Sequence, residues 1–403
     1  MASFQYGGQA LIEGVLMRGR QALSVALRHP DGSIVWATER LDLGVRASRS
    51  LRWPFLRGLV VLYDTLVTGT RWLVRSATLQ VTGLEEAERA KGGAGKGPGT
   101  GPAASALTAP WALVLAPAAV VLGAASSHGS DYTDPDAPGP AGHSSAEKGL
   151  GKGYAVAVGA MLLLSLALGI GIFFLLPLLL AQATIGRVDQ GFGFQLTEGL
   201  IRVAIFVAYL MLVARAPEVR RTFQYHGAEH MSIHTLEAGD PLTTDAARKY
   251  PTAHPRCGTE FLVVVLIVSI LAFAVVGKVP PLLLILSRVL LIPVIAAISY
   301  ELLQLGARHR RRTLVRWLWS PGIWVQKITT RQPTDDMIEV AIVSLERALI
   351  ANGAEIPAGS TLFACRPLSA DDLEGTPEQE AVPVAPVEVA PSALPDEAVR
   401  VDS

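Results

Sequence analysis

Cysteine is nearly missing from this chain: Cys257 and Cys365 are the two among 403 residues. That excludes a disulfide framework and is compatible with a reducing compartment. Charge is scarce too, at 17% of residues, and it cancels, with 35 basic against 35 acidic side chains. Without a basic excess there is no general attraction to nucleic acid, and none is expected as a partner. The opening MASFQYGGQALIEG lacks a basic stretch followed by an apolar run, so no cleavable signal peptide is expected. What fills the chain instead is apolar: half of all residues, with a mean hydropathy of +0.37. This composition predicts a mainly α protein, a polytopic membrane helical bundle with a small N-terminal β-hairpin region and cytoplasmic amphipathic helices.

Residues 1–50 are expected to form the soluble β-hairpin region. ALSVALRHPDGSIVWATERL alternates apolar and polar residues around Pro30-Asp31-Gly32, which predicts a hairpin. The glycines around QALIEGVLMR predict a short glycine-bent strand with close backbone approach. Residues 51–83 carry apolar positions at helical spacing with Arg57, Asp64, Arg71 and Arg75 among them, and Trp53 and Trp72 suit an interface. An amphipathic helix on the membrane surface is expected there, with a core-facing helix as the alternative. Residues 84–152 form a Gly/Pro-rich insertion around one weak apolar segment, 109–126, which is expected not to span.

Four spans are expected within 153–305, at 154–183, 196–214, 260–276 and 281–305, each apolar enough for a bilayer core of about 30 Å. Pro177 is expected to kink or end the first. The 215–256 stretch holds six Lys or Arg and RHRRRTLVR holds five, whereas the intervening loops hold one each. The positive-inside rule then puts the 215–259 loop and both termini in the cytoplasm of an inner-membrane, multi-pass protein. Glu198 and Arg202 are spaced for an ion pair, and with Arg288 they form a packing network or, less favoured, a transport path. Residues 306–365 are expected as cytoplasmic interfacial and amphipathic helices. In the second of these Thr334 is the N-cap, and Ile338, Ala341, Ile342, Leu345 and Leu349 form one apolar stripe. Residues 366–403, rich in Pro, Ala, Val and Glu, are expected to be a disordered tail.

The candidate chemistry lies in YHGAEHMSIH, 225–234. Four of eight histidines and one of two cysteines fall between 226 and 257. At about 100° per residue, His230 lies about 40° from His226, His234 about 80°, and Glu229 about 60° to the other side, with Glu237 close to His226. All five share one face. His226-x-x-Glu229-His230 has the spelling of the inverted zinc-hydrolase signature, in which histidines bind metal and the glutamate acts as base. A third ligand must come from elsewhere. Glu301, in SYELLQL, is one candidate; His254, in HPRCG, is another. A closed shell of His226, His230, His254 and Cys257 would be structural, as in a membrane adaptor, because four protein ligands leave no open position. The expected cofactor is a divalent metal, with zinc favoured. The expected partners are the lipid bilayer and a membrane-borne peptide or lipid substrate.

Five blocks carry a resemblance: YGGQALIEGVLMRGR, YHGAEHMSIH, HPRCGTEFL, SYELLQL and PGIWVQKITTRQPTDDMIEVAI. Over roughly residues 4–80 and 150–352 the chain resembles the YqhQ family of bacterial membrane proteins, domain of unknown function 1385. The resemblance implies an integral membrane protein of a family described as predicted metal-dependent enzymes, without an established substrate. It marks Glu13, Arg18, His226, Glu229, His230, His254, Cys257 and Glu301 as motif positions. Met231 stands where the family pattern has a lysine, and the 84–150 insertion is longer than that pattern.

Overall fold

The computed structural model describes residues 6–41, 53, 55–91, 164, 167–169, 171–185, 191–254, 257–276, 280–309, 312–369 and 371–374. The 109–126 segment and the side chain of Arg288 lie outside the described residues. The described chain is mainly helical, with one small sheet.

The sheet is a meander, β1 (Gly7–Leu11), β2 (Gly14–Arg18), β3 (Ala22–Arg28) and β4 (Ile34–Arg40), antiparallel throughout, with β5 (Arg366–Pro367) added parallel to β4. The β3–β4 hairpin turns at the expected Pro30-Asp31-Gly32, with Gly32 at φ 91°. The glycine-bent strand is in fact a second hairpin. Leu11 pairs with Gly14 around the two-residue turn Ile12-Glu13, where Glu13 takes φ 54°. Both faces of the sheet are buried, and side-chain alternation sorts them. Leu11, Leu16, Leu23, Val25, Leu27 and Val35 face α1 (Leu56–Lys91), packing on its Trp72 and Leu79. Val15, Met17, Ala26 and Ile34 face the opposite way, onto α4 (Pro217–Ala238) and α9 (Asp335–Ala351).

This arrangement corrects two expectations. Trp72 is 2% exposed, so the second half of α1 is covered by the sheet rather than by an interface. The first half remains apolar and open, with Tyr63 60% and Leu66 51% exposed. The second correction concerns α9. Thr334 is its N-cap position, without a side-chain cap bond, and the whole stripe is buried. So are Met337, Val340 and Val343, because α9 is wedged between the sheet and α4 and shows little of itself to solvent. The start of the expected tail is folded: β5 and α10 (Asp371–Glu374) pack back, Leu368 N–H bonding Trp36 O, and residues 375–403 lie outside the described residues.

Among the described residues, two helices are long and apolar enough to cross a membrane, Ala167–Ile185 and Phe192–Val213. The first comprises a π-helical turn (Gly171–Leu175) and α2 (Leu176–Ile185); the second is α3 (Phe192–Val213). Pro177 neither ends the helix nor leaves a bare carbonyl. It cannot donate to Phe173 O four residues back, and Arg202 Nε donates to that oxygen instead (3.1 Å). Arg202 also pairs with Glu198 and lies over the Phe273 ring, 5.3 Å from its centroid, tying three helices together. Beyond α4 come α5 (Thr244–Ala247), α6 (Thr259–Val276), α7 (Pro281–Arg308) and α8 (Thr313–Thr329). Within α6 and α7 shorter apolar stretches run over Thr259–Val275 and Leu290–Gly306.

One core carboxyl gives a pH-dependent prediction. Glu346, on α9, is 4% exposed and its Oε1 has no partner among the described residues. Burial pushes its pKa from 4.5 up to about 7, against the pull of Arg347. A carboxyl raised in the folded state binds its proton more tightly there than when unfolded. Stability therefore falls as pH rises from 4.5 to 7, by up to about 3 kcal/mol. Glu346→Gln is expected to match the parent near pH 4.5 and to melt higher at pH 8; equal melting temperatures at pH 8 would refute this.

Candidate metal centre

The site is built on α4. Pro217 opens that helix at its first turn, where a missing N–H costs nothing. Gly239, at φ 79°, closes it, with its own N–H on Leu236 O and the Asp240 N–H on Thr235 O. Between these ends one face presents His226, Glu229, His230, His234 and Glu237.

His226 and His230 are aimed by main-chain carbonyls. His226 Nδ1–H donates to Thr329 O (2.8 Å) at the end of α8, and His230 Nδ1–H donates to Thr252 O (2.6 Å) in the loop after α5. Each bond fixes the tautomer and leaves the Nε2 lone pair facing inward, the pattern of metal-ligating histidines. The rings are 4.4 Å apart between centroids. Cys257 Sγ meets them, 3.1 Å from His226 Nε2. One ligand atom from each of His226, His230 and Cys257 lies within 4.8 Å of the others. His230 Nε2 is buried with no hydrogen-bond partner among the described residues. A buried, unsatisfied lone pair is costly without a partner, and a cation beside Cys257 and His226 would satisfy it. Burial, reinforced by His226, drives the His230 pKa down to about 2, so the ring stays neutral. Burial also raises the Cys257 thiol.

Glu229 lies against this trio and against β1. The Gly8 N–H bonds its carboxylate, while Oε2 has no partner among the described residues. Burial raises its pKa to about 8; His226 and the Gly8 N–H oppose the shift and Cys257 adds to it. A Cβ on Gly8 would sit 2.9 Å from Glu229 Cγ and Cδ and 2.6 Å from Leu16 O, so only glycine allows this approach. Glu229, His230, His254 and Cys257 border a cavity of about 330 Å³ that is also lined by β1 and by Val61, Thr65, Thr68 and Gly69 of α1.

Other motif residues are distributed differently. Arg18 borders the cavity and is paired with Asp64 of α1. Glu13 instead clamps Arg221 and accepts from Tyr225 Oη (3.2 Å), tying the β1–β2 turn to α4. Glu301 is not brought to the histidines. It takes the Arg57 guanidinium and the Phe55 N–H (3.1 Å), joining α7 to α1. That corrects its assignment as third ligand: a bidentate arginine occupies both of its oxygens. His254 is not in the shell with Cys257 either. It sits with His234 and Glu237, one turn further along α4, its ring 4.5 Å from that of His234. Reading the sequence did not find Thr252, Thr329 and Gln326, because two act through backbone carbonyls. The third, Gln326, accepts from His254 N–H through Oε1 (3.0 Å). Gly8 had a signal, the glycine density around β1.

A profile for the family described as "Protein of unknown function (DUF1385)" matches residues 53–351. The chain is 27% identical over 344 residues to "Uncharacterized protein YqhQ" of Bacillus subtilis (strain 168), covering 85% of this chain and 92% of that protein. No solved structure matches. With the matched span covering the α1 wall, the histidine helix, the cysteine and α9 together, the chain belongs to the DUF1385 family.

Proposed function

We propose that the protein is a membrane-embedded, metal-dependent hydrolase whose site opens at the cytoplasmic edge of the bilayer. The observation that carries this reading is the pair of Nδ1–carbonyl bonds. They turn two imidazoles onto one point beside Cys257, with a buried carboxyl group alongside and a cavity above. His226, His230 and Cys257 would hold the ion. A divalent ion such as zinc would supply Lewis acidity and make water a usable nucleophile at neutral pH. Glu229 would take the proton from the attacking water and return it to the leaving group. The Gly8 N–H would hold one carboxylate oxygen so that the other faces the cavity. Three donors in this group, rather than four, favour an open position over a structural knot or adaptor.

The membrane half of the proposal rests on surface chemistry. The apolar helices expose Leu180, Leu200, Leu271 and Leu290, a surface suited to lipid. The basic residues of 215–256 and 308–316 support a four-pass arrangement with both termini cytoplasmic. In this arrangement α4 occupies the connection between the apolar helices α3 and α6, at the membrane edge. The α1 wall of the cavity also packs on α7, with Gly58 against Tyr300. A membrane-borne peptide or lipid could then reach the site along α1.

The test is elemental analysis and X-ray absorption on detergent-purified protein. Bound transition metal with sulfur and imidazole ligands plus a light-atom position is expected, with that sulfur-bound ion lost in His226→Ala. Protein with intact histidines and no stoichiometric metal would end the proposal.

A further inference from the structure

The face of α4 does not stop at the first trio. His234, one turn beyond His230, Glu237, three residues later, and His254, from the loop after α5, bring a second set of ligand atoms within 4.8 Å of one another. We propose that His234, Glu237 and His254 form a second divalent-cation site, so that α4 carries two metals side by side.

The geometry is that of a prepared site. His234 Nε2–H donates to Ala253 O (3.0 Å), which leaves Nδ1 as the lone-pair nitrogen, and the ring is stacked on Tyr250. Tyr250 is anchored in turn by its hydroxyl on Asp240 (2.7 Å). His254 is 3% exposed and held through its backbone by Gln326. Its Nε2 lies 3.4 Å from Glu237 Oε2. That is long for a charge-assisted hydrogen bond, which shortens to about 2.7–2.9 Å. It is about the separation of two ligands on one tetrahedral ion with bonds near 2.1 Å.

The two sites differ in donor chemistry. The first offers two imidazoles and a thiolate from the buried side of α4. The second offers two imidazoles and a carboxylate, with the Glu237 side chain 35% exposed. A harder donor set at a wetter edge selects a borderline divalent ion such as zinc, cobalt(II) or iron(II), and lets it exchange faster. The His230 and His254 rings are 5.7 Å apart, so the two sites are neighbours on one face.

The test is a cobalt(II) titration of the metal-stripped full-length protein in detergent, read by absorption. A cysteine ligand gives a sulfur-to-cobalt charge-transfer band, and a nitrogen/oxygen site gives none. Wild type is expected to take two equivalents, only one of them with the band. The His234→Ala/Glu237→Gln double variant should lose the bandless equivalent and keep the other. Cys257→Ser should lose the band and keep the bandless one. Uptake of a single banded equivalent by wild type would overturn the second site and leave the hydrolase proposal standing; no uptake at all would sink both. The wild-type stoichiometry decides the matter even if a variant fails to fold.

Discussion

Glu229→Gln is expected to keep the sulfur-bound metal and to slow hydrolysis of an ester, amide or phosphodiester probe by about 10²–10⁴-fold, the range for loss of a positioned general base. His230→Ala should lose both that metal and the activity. The contrast follows from position. Glutamine fills the same space between Gly8 and the histidines and keeps an acceptor for the Gly8 N–H, but it cannot take a proton. Alanine at 230 removes the imidazole whose Nε2 stands without a partner and strands Thr252 O. Metal content and single-turnover rates should be measured on the same preparations. A Glu229→Gln protein that hydrolyses at the parental rate would move the base elsewhere. Loss of metal in that variant would make Glu229 a ligand.

The second large effect is expected from a substitution that helix propensity favours. Alanine normally stabilises a helix interior over glycine by about 1 kcal/mol. At Gly227, inside α4, a Cβ would lie 2.1 Å from Arg331 O, a main-chain atom. The extended 330–333 segment is bound to α4 at that point by Arg331 N–H on Phe223 O (2.9 Å) and Gln224 Nε2 on Gln332 O (3.1 Å). It cannot retreat without breaking those bonds. Its neighbour Thr329 supplies the carbonyl that orients His226. Gly227→Ala should therefore destabilise by about 1–3 kcal/mol, the cost of overpacking, and weaken the first metal site as well. Thermal melting with and without zinc checks both parts. An unchanged melting temperature with unchanged zinc affinity would show that the 330–333 segment can give way.

The convergence of His226 and His230 is legible in the sequence because four residues on a helix bring two rings to one side. The hairpin at Pro30-Asp31-Gly32 is legible because glycine takes the positive φ there. The first hairpin is hidden because Glu13 takes that backbone conformation with no glycine or asparagine to announce it. Glu301 illustrates a different limit. Its position near a helix end is readable, but whether it swings toward α4 or α1 depends on Arg57, some 240 residues earlier. Likewise His254 shares a short motif with Cys257, yet the two side chains serve different clusters. Spacing within one helix transmits direction, whereas spacing across a loop does not. The breadth of apolar residues on α9, Met337, Val340 and Val343 beyond the expected stripe, was the available sign of a largely enclosed helix.

The sheet is made from the two ends of the polypeptide. Ser344 on α9 bonds Ser24 O (3.2 Å), and Asn352 clamps Gln21 and Ala22 across more than 300 residues. During synthesis, Val15 and Met17 leave the ribosome long before the helix that shelters them. The apolar helices are synthesised in the interval. The N-terminal strands are then held open, with a greasy face and unpaired edges, until the last fifth of the chain arrives. Such a protein should depend on a chaperone for that interval. Chains terminated before residue 335 should be degraded rather than accumulate as a smaller folded product.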